Sequence, residues 1–300
     1  MLLTDKLAEL KERRKELTQM IMITRDSLNK SAVSYEEDFC PFCGKRREKL
    51  AAIAGRTSYR QCDCEENQAA VEEWSELLHR EQECKDALEA IESQIVRIER
   101  KGKELLEKSN LGRRFRDRTF ETFQRREDLE TAYRSAKEYA EGFEENKGES
   151  LLFMGTPGTG KTHLAAAITN YVITQYGIPV KFGSFIDILE SIKKTFGGGA
   201  SDPDQGIIRQ LIEVPLLVID DLGKERQTDW SNSVLYQVIN GRYENYLPVI
   251  ITTNETIGTM EKNVGKATVS RLIEMCSGIK MTGPDYRKQK METRKEIQNA

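Results

Sequence analysis

The stretch LLFMGTPGTGKTHLAAAI, residues 151–168, decides the fold of the second half of the chain. Its first residues form a short apolar run that predicts a buried strand. GTPGTGKT, residues 155–162, then fits the pattern glycine, four residues, glycine, lysine, and serine or threonine. The last residues predict a helix. A strand, a glycine-rich loop and a helix in this order predict a phosphate-binding loop, because the loop amides and the positive end of the helix face the anion.

Each position of the loop has an expected role. The glycines allow the backbone to curl so that its amides face phosphate oxygens. Lys161 is expected to reach the outer phosphates, and the Thr162 hydroxyl is expected to ligate magnesium. The expected nucleotide-binding set is Gly155, Thr156, Pro157, Gly158, Thr159, Gly160, Lys161, Thr162 and, from a later strand, Asp220.

Two further strand ends carry polar side chains of interest. LLVIDD, residues 216–221, predicts a buried strand with Asp220 at its carboxyl end, where parallel sheets bind ligands. Asp220 would hold magnesium through its water shell, and Asp221 would polarise an attacking water. The alternative is an ordinary turn with two solvated acids. PVIITTN, residues 248–254, ends with Asn254, which is placed to sense the terminal phosphate.

The order of segments after residue 128 predicts an α/β fold. Short unbroken apolar runs alternate with amphipathic helices, and this alternation indicates a parallel sheet covered by helices on both faces. The strand candidates are LLFMG, PVKFGSF, PLLVIDD and PVIITTN. We therefore expect a P-loop nucleoside triphosphatase domain at 129–300, preceded by a basic, arginine-rich linker at 111–128.

Residues 1–110 have a different pattern. Two highly charged segments carry apolar residues at alternating spacings of three and four, which is a heptad pattern. The economical arrangement is an antiparallel helical hairpin with the segment between the helices at its tip. Two solvated helices in an oligomeric coiled coil are the alternative.

Four cysteines lie at the expected tip of this hairpin. Cys40-x-x-Cys43 and Cys62-x-Cys64 supply four thiolates from two turns, which suffices for a closed tetrahedral zinc site. Because no coordination position would stay open, the zinc is expected to be structural. The insert is too small to fold without the metal. Four unliganded thiols are the alternative.

Composition limits the class of protein. The 300 residues have a formal net charge of -3, so contact with nucleic acid would depend on local basic patches. No run approaches the ~20 apolar residues of a membrane span, and the amphipathic N-terminus is not a signal peptide. We expect a cytoplasmic protein with no membrane partner. The candidate DNA-contacting groups, whose alternative is a solvated face, are Lys45, Arg46, Arg47, Lys49, Arg113, Arg114, Arg116 and Arg118.

Taken together, the motifs resemble a known family. GTPGTGKTHLAAAI, LLVIDDLGKE, INGRYENYLPVIITTN, SRLIEMC and GPDYR, in this order, look like the AAA+ ATPases of the DnaC and DnaI helicase-loader group. IstB-type transposition helper ATPases share much of the pattern. The resemblance covers about residues 111 to 300. It implies ATP and Mg²⁺ as bound groups, in addition to the Zn²⁺ expected from the spacing of the cysteines.

The resemblance also implies roles for individual residues. Asn254 corresponds to the first sensor, and Arg271 in SRLIEMC corresponds to an arginine finger that enters the site of a neighbouring subunit. Arg287 in GPDYR is a candidate second sensor. Many AAA+ proteins have Asp-Glu where this chain has Asp220 and Asp221, and the shorter acid indicates slow turnover.

The expected function is that of an ATP-dependent loader. The resemblance implies that such a protein binds a DnaB-type hexameric replicative helicase through a zinc-bearing N-terminal domain and delivers it onto single-stranded DNA. It also implies self-association through the ATPase domain. The alternatives are a transposition helper acting on duplex DNA beside a transposase, and a zinc-bearing coiled-coil adaptor that uses ATP only structurally.

Overall fold

The computed structural model describes residues 2–31, 39–53, 56–146, 148–194, 203–223, 228–288 and 291. The chain divides into two compact units, residues 3–99 and residues 100–300. Among the described helices, none is both long and apolar enough to cross a membrane.

The first unit contains two long helices that run antiparallel. Helix α1 spans Leu3–Ser31 and helix α2 spans Glu65–Lys108. Lys11 pairs with Glu99 at 2.9 Å, and Arg25 pairs with Glu81 at 3.0 Å, so residue numbers rise along one helix as they fall along the other. The seam between the helices buries Leu17, Thr24, Leu28, Glu81, Cys84 and Ile95. The predicted helical hairpin is confirmed.

A small β-hairpin lies between these helices in the chain. Strands β1 (Lys49–Ile53) and β2 (Arg56–Tyr59) pair antiparallel. An isolated bridge joins Phe39 to Arg46 just before them. The four cysteines of the predicted zinc site flank this pair of strands in sequence.

The second unit is an α/β domain. Its strands are β3 (Ser150–Gly155), β4 (Val180–Ser184), β5 (Leu216–Leu222), β6 (Val249–Thr253) and β7 (Cys276–Met281). Its helices are α3 (Arg113–Arg116), α4 (Glu130–Glu141), α5 (Lys161–Tyr171), α6 (Phe185–Lys193), α7 (Pro203–Glu213), α8 (Asp229–Glu244), α9 (Ile257–Val264) and α10 (Lys266–Met275). A 3₁₀ turn precedes α4 and a π turn, Val172–Tyr176, follows α5.

The five strands form one parallel sheet in the order β4-β5-β6-β3-β7. Successive residues of β3 point to opposite faces, and each face is covered by its own apolar cluster; Phe153 belongs to one cluster and Leu152 to the other. The predicted fold class is confirmed. Because β6 lies between β3 and β5, the carboxyl ends of these three strands meet at one edge of the sheet, where such folds bind ligands.

The sequence prediction missed β7. Its residues, CSGIKM, alternate irregularly between exposed and buried positions, and the strand has β3 as its single neighbour at the edge of the sheet. A short, half-polar edge strand has little local signal. It is defined by its pairing with β3, which runs from Ser150–Cys276 to Gly155–Met281.

The segment that we expected to be a basic linker is packed against the domain. Leu111, Phe120 and Phe123 are buried in the same apolar cluster as α5. The Asn170 side-chain amide on α5 donates to the carbonyls of Phe115 and Arg118, at 3.1 and 2.8 Å. The arginines of this segment are therefore held close to α5, the helix that follows the glycine-rich loop.

Candidate nucleotide-binding site and cysteine cluster

A cavity of about 610 Å³ opens at the carboxyl edge of the sheet. Its volume lies in the range of small-molecule sites. Asp220, Asp221 and Asn254 line it together with residues 157–162 of the glycine-rich loop. The structure thus brings together the loop and the three polar strand ends that the sequence singled out.

The glycine-rich loop requires glycine for steric reasons. Gly160 has φ +99°, and a β-carbon there would lie 2.7 Å from the ring of Phe123. Gly155 has φ +139°, and a β-carbon there would lie 1.9 Å from the carbonyl oxygen of Met281. A side chain at either position would have to displace its neighbour. Glycine at these positions therefore allows the loop to curl and pack closely at the start of α5, where its backbone amides would face an anion.

Lys161 is buried at the base of the loop. Its Nζ donates to the carbonyls of Gly155 and Thr156, at 2.9 and 2.8 Å. Both acceptors belong to the loop itself, so the ammonium group is held beside the turn through which phosphate oxygens would be bound.

Asp220 is the centre of a hydrogen-bonded chain. The hydroxyls of Thr162 and Thr252 donate to its Oδ1, at 2.8 and 2.6 Å. The Thr252 hydroxyl accepts from the backbone amide of Asp221 at 2.9 Å. Sequence reasoning missed Thr252, although it stands two residues before Asn254 in the strand IITTN. The hydroxyl and carboxylate oxygens of Thr162 and Asp220 are the hard ligands that Mg²⁺ prefers, so the site fits that ion.

Asp221 has an unusual backbone conformation. Its φ of +56° lies in the left-handed region, which residues other than glycine rarely adopt. The pairing of β5 with β6 is interrupted between Ile219 and Leu222, at the same place. The strand end is therefore bent where Asp221 reaches the cavity. Such conformations persist where surrounding structure holds them, and they cluster at functional sites.

Arginines from both ends of the domain line the cavity. They are Arg114, Arg118, Arg126 and Arg287. Arg114 and Arg118, two of the candidate DNA-contacting groups, both line this cavity. Arg126 was not singled out from sequence; it forms an ion pair with Asp128 at 3.3 Å and donates to the Pro284 carbonyl at 3.3 Å.

Residues after β7 pack directly on the glycine-rich loop. The backbone amide of Thr156 donates to the Met281 carbonyl at 3.2 Å, and its hydroxyl donates to the Gly283 carbonyl at 3.1 Å. The amide of Tyr286 donates to the Gly158 carbonyl at 3.2 Å. These contacts bring the candidate second sensor, Arg287, to the cavity.

His163 fastens the preceding segment to the start of α5. Its Nε2 lies 2.9 Å from the carbonyl oxygen of Thr119, and its ring packs edge-on against Phe123, with centroids 5.2 Å apart. Burial lowers the pKa of His163 below its usual value of 6.5. The neutral ring, with its proton on Nε2, is the form that donates to the carbonyl.

Arg271 does not line this cavity. It lies on α10 and contacts side chains of α8. This position is compatible with a guanidinium that serves the site of another copy of the chain, as the resemblance implied.

Four of the five cysteines of the first unit, Cys40, Cys43, Cys62 and Cys64, form a cluster. All four Sγ atoms lie within 4.8 Å of one another. The Cys40–Cys64 and Cys43–Cys62 pairs are separated by 3.7 and 3.5 Å. Four thiolates at about 2.3 Å from a tetrahedral zinc lie roughly 3.8 Å apart, whereas a disulfide needs about 2.05 Å. The cluster fits a closed zinc site and does not fit disulfides.

The backbone around Cys40 favours a thiolate. Burial opposes the charged form, but backbone amides of Cys43 and Phe42 and the thiols of Cys43 and Cys64 donate to the sulfur, and the pKa of Cys40 falls to about 6. Burial raises the pKa of the neighbouring Cys64 thiol to about 12, so the proton of the thiol pair resides on Cys64. On the other side of the cluster, the Asn67 side-chain amide donates to the Cys62 carbonyl at 2.7 Å, and the Asn67 backbone amide donates to the Cys64 carbonyl at 3.1 Å. The start of α2 therefore holds the second pair of ligands in place.

The surface beside the cluster is both aromatic and basic. Phe39 and Phe42, which flank Cys40, are 53% and 48% exposed. Lys45, Arg46 and Lys49 are exposed, whereas Arg47 is buried. Exposed aromatic rings beside basic groups are typical of a protein-contacting surface.

Comparison with known proteins identifies relatives of a large part of this chain. A family model described as IstB-like ATP binding protein matches residues 63–294. The phage-like element PBSX protein XkdC of Bacillus subtilis is 32% identical over 190 residues, which cover 60% of this chain and 69% of that protein. The replicative helicase loader DnaC of Escherichia coli is 33% identical over 141 residues, 47% of this chain.

The match to DnaC is partial, since the aligned region spans 56% of that protein's length. A crystal structure of the DnaC helicase loader superposes with a TM-score of 0.52 and 27% identity, covering 57% of this chain and 99% of that one. The fold, the loop and the acids at the edge of the sheet agree with the family match. The chain belongs to the family of IstB-like ATP binding proteins.

Proposed function

We propose that the protein is an ATP-dependent loader that binds a DnaB-type hexameric replicative helicase and delivers it onto single-stranded DNA. The observation that carries the proposal is the combination, in one chain, of an ATP-binding domain similar to DnaC with a four-cysteine cluster on a helical hairpin. Its place of action is the cytoplasm, where reduced cysteines are available to bind zinc.

ATP is bound and hydrolysed at the cavity of the second unit. The loop amides and Lys161 hold the outer phosphates, while Thr162 and Asp220 hold Mg²⁺, which neutralises phosphate charge. Asp221 orients the attacking water, and Asn254 contacts the terminal phosphate. The arginines of the cavity wall, including Arg287, add positive charge around the same anion.

Hydrolysis also requires a second copy of the chain. Arg271 lies outside its own cavity and acts on the phosphates bound by a neighbour. A guanidinium supplied in trans stabilises the charge of the transferring phosphoryl group. Turnover therefore reports assembly as well as nucleotide binding.

The cysteine cluster and the hairpin bind the helicase. Cys40, Cys43, Cys62 and Cys64 would hold a zinc ion that fixes two turns, and Phe39 and Phe42 lie at the first of these turns. These exposed rings are the apolar anchors of the interface, and the exposed lysines and arginine beside them select an acidic rim on the partner.

A transposition helper is the second candidate. It is favoured by the description of the matching family model, which is IstB-like ATP binding protein. The two functions differ in their partner, since a helper binds a transposase on duplex DNA and a loader binds a hexameric helicase.

A capture experiment separates the two candidates. The full chain, immobilised with ATP and Mg²⁺, is exposed in separate arms to the replicative helicase and to the transposase encoded in the same genome. Retention of the helicase alone supports the loader, and retention of the transposase alone would replace it with the helper.

A further inference from the structure

The Arg271 side chain is held by Tyr236, Asn240 and Tyr243 on one face of α8, and we call these three residues the cradle. Its Nε donates to Oδ1 of Asn240 at 2.7 Å, and Nη2 donates to the hydroxyl of Tyr236 at 3.1 Å. Nη1 donates to the Ala267 carbonyl of its own helix at 3.1 Å. The guanidinium carbon lies 4.9 Å from the ring centre of Tyr236 and 5.7 Å from that of Tyr243, within cation–π range. Each of its nitrogens is therefore directed by α8 or α10.

The cradle residues are themselves held in place. The Asn240 side-chain NH₂ donates to Glu244 at 2.8 Å, which turns the amide oxygen of Asn240 toward Arg271. The Tyr243 hydroxyl donates to Glu274 at 2.8 Å. The two carboxylates thus orient the groups that touch the guanidinium and do not themselves pair with it.

The groups that touch Arg271 are neutral. They are an amide oxygen, a phenol and a main-chain carbonyl, and within the described part of the chain no carboxylate forms an ion pair with its guanidinium. A carboxylate in the same place would hold the side chain more strongly, because charge-assisted hydrogen bonds are the stronger ones. It would also offset the positive charge. A neutral cradle fixes the direction of the guanidinium and leaves its charge available to an external anion.

The helix that supplies the cradle is anchored firmly. Arg242 on α8 is fully buried and donates to the carbonyl of Val214 at 2.9 Å and to that of Pro248 at 2.5 Å. It also donates to the carbonyls of Leu211 and Ile212 at the end of α7. This anchor ties α8 to the segments before β5 and β6, so the cradle stands on a rigid element.

We propose that Asn240 and Tyr236 are positioning residues that aim an uncompensated Arg271 guanidinium at the phosphates bound by a second copy of the chain. The inference rests on the proposed function, in which Arg271 acts in trans. Asn240 supplies direction without charge, and Tyr236 supplies both a hydrogen bond and an aromatic face.

The most informative variant exchanges the amide and the carboxylate of two residues one helical turn apart, Asn240 and Glu244. Asn240→Asp combined with Glu244→Gln keeps a hydrogen-bonded pair at these positions and leaves the net charge of the protein unchanged. It replaces the neutral acceptor of Arg271 by an anion. If Asn240 only stabilises the surface, the new ion pair serves equally well. Glu244→Gln alone is the matched control, and Arg271→Ala is the reference.

The measurement is steady-state ATP hydrolysis, with kcat and KM determined separately and assembly followed by light scattering. We expect the double variant to lower kcat roughly tenfold or more while KM changes less than about twofold, because the new carboxylate offsets the charge that Arg271 presents to the transition state. The control should stay within about twofold of the unsubstituted protein. The thermal unfolding midpoint of the double variant should be unchanged or raised.

Mixing tests whether the cradle acts in trans. Lys161→Ala subunits carry an intact cradle, so adding them to the double variant should restore part of its turnover. The inference would be overturned by a normal kcat in the double variant or by the absence of rescue in mixed assemblies. It would also be overturned if the double variant failed to assemble, since the loss of turnover would then have a different cause. Normal kcat in Arg271→Ala would instead overturn the trans role in the proposed function.

Discussion

At the scale of single residues, Asp220 is the group on which the nucleotide site is organised. One of its oxygens accepts from both Thr162 and Thr252, so the carboxylate is fixed between the glycine-rich loop and β6. Thr252 also accepts from the amide of Asp221, and a single hydroxyl therefore orients both acids. The order of strands makes this possible, because β6 separates β3 from β5.

The role of Thr252 leads to a specific prediction. Thr252→Val keeps the shape of the side chain but removes the hydroxyl, leaving the Asp221 amide without its acceptor. We expect kcat for ATP hydrolysis to fall about tenfold, corresponding to about 1.4 kcal/mol, with ATP affinity nearly unchanged. Thr169→Val, which removes a buried hydroxyl that donates only within α5, is the control. Equal kcat values in the two variants would contradict the role assigned to Thr252.

Lys161 allows a direct test of nucleotide binding. Lys161→Ala removes a charge-assisted contact to phosphate, which typically contributes ~1.5–3 kcal/mol, or roughly ten- to a hundredfold in affinity. Titration with a fluorescent ATP analogue measures the loss, and Lys262→Ala on the exposed side of α9 controls for the change in net charge. Asp220→Ala should chiefly remove magnesium-dependent hydrolysis. An unchanged affinity in Lys161→Ala would rule out the loop assignment.

His163 predicts a dependence of stability on pH. Its pKa in the folded protein is lowered below 6.5 by burial, so the unfolded chain binds the proton more readily. Its contribution to stability is complete above pH of about 6.5 and is lost as the pH falls toward the folded pKa. The thermal midpoint should therefore drop more steeply below pH of about 6.5 in the unsubstituted protein than in His163→Gln. His79→Gln, on α2, is the control, and parallel profiles would refute the prediction.

The sequence alone was sufficient to identify the glycine-rich loop, Asp220, Asp221 and Asn254, because each belongs to a motif that is recognisable from neighbouring residues. Thr252 and Arg126 carry no such signal. Thr252 is important because of what it touches across two strands, and Arg126 because Pro284 and Asp128 hold it at the cavity. Such roles arise from tertiary contacts, which a linear pattern does not contain.

At the scale of secondary-structure elements, the cysteine cluster shows how a short insert is ordered. Strands β1 and β2 contain only five and four residues, and an isolated pair of this size is marginally stable in water. The cysteines before and after the pair supply the additional constraint. Zinc binding and folding of this segment are therefore expected to be one event.

Removal of the ligands tests this coupling. Cys40→Ser with Cys43→Ser should abolish binding of one zinc per chain, measured by elemental analysis, and should expose the segment 39–64 to proteolysis. ATP binding should be unaffected, because no cysteine of the cluster lines the nucleotide cavity. Cys84→Ser, whose sulfur lies in the helical seam, is the matched control. Full zinc content in the double variant would contradict the site.

The elements also show where prediction from sequence fails. Helix α8 has Thr228 as its N-cap, whose hydroxyl accepts from the Ser231 amide in a capping box, and the neighbouring Asp229, also a good capping residue by type, is the first helical residue. Strand β7 was missed because its pairing with β3 comes from a part of the chain more than 100 residues away. Local propensity specifies neither which of two adjacent residues caps a helix nor whether a short strand joins the edge of a sheet, because both depend on tertiary geometry.

At the scale of the whole molecule, the chain divides into two compact units. The alternation of apolar runs and amphipathic segments was sufficient to predict the parallel sheet and the helical hairpin, because both patterns repeat over many residues. The extent of the second unit was harder to predict. Residues 100–128 are highly charged, yet Leu111 and Phe120 are buried in its core and Leu105 packs against that core.

This packing refines the choice of fragment for binding studies. A fragment that begins at residue 111 loses Ser109, whose carbonyl accepts from Phe182 on β4 at 2.7 Å. The fragment 100–300 keeps that contact, and we expect it to bind ATP like the full chain. It should fail to retain the helicase, because it lacks the cysteine cluster. Capture of the helicase by fragment 100–300 at full affinity, measured by biolayer interferometry, would place the docking surface elsewhere.

Helicase loading itself is the most direct test of the account. A forked DNA whose single strand is coated with single-strand-binding protein is given to the hexameric helicase, and unwinding is followed by fluorescence. We expect little unwinding by the helicase alone and rapid unwinding when the full chain and ATP are added. Lys161→Ala and Cys40→Ser/Cys43→Ser should each abolish that stimulation. The absence of any stimulation by the full chain, or equal stimulation by the cysteine variant, would contradict the proposed function.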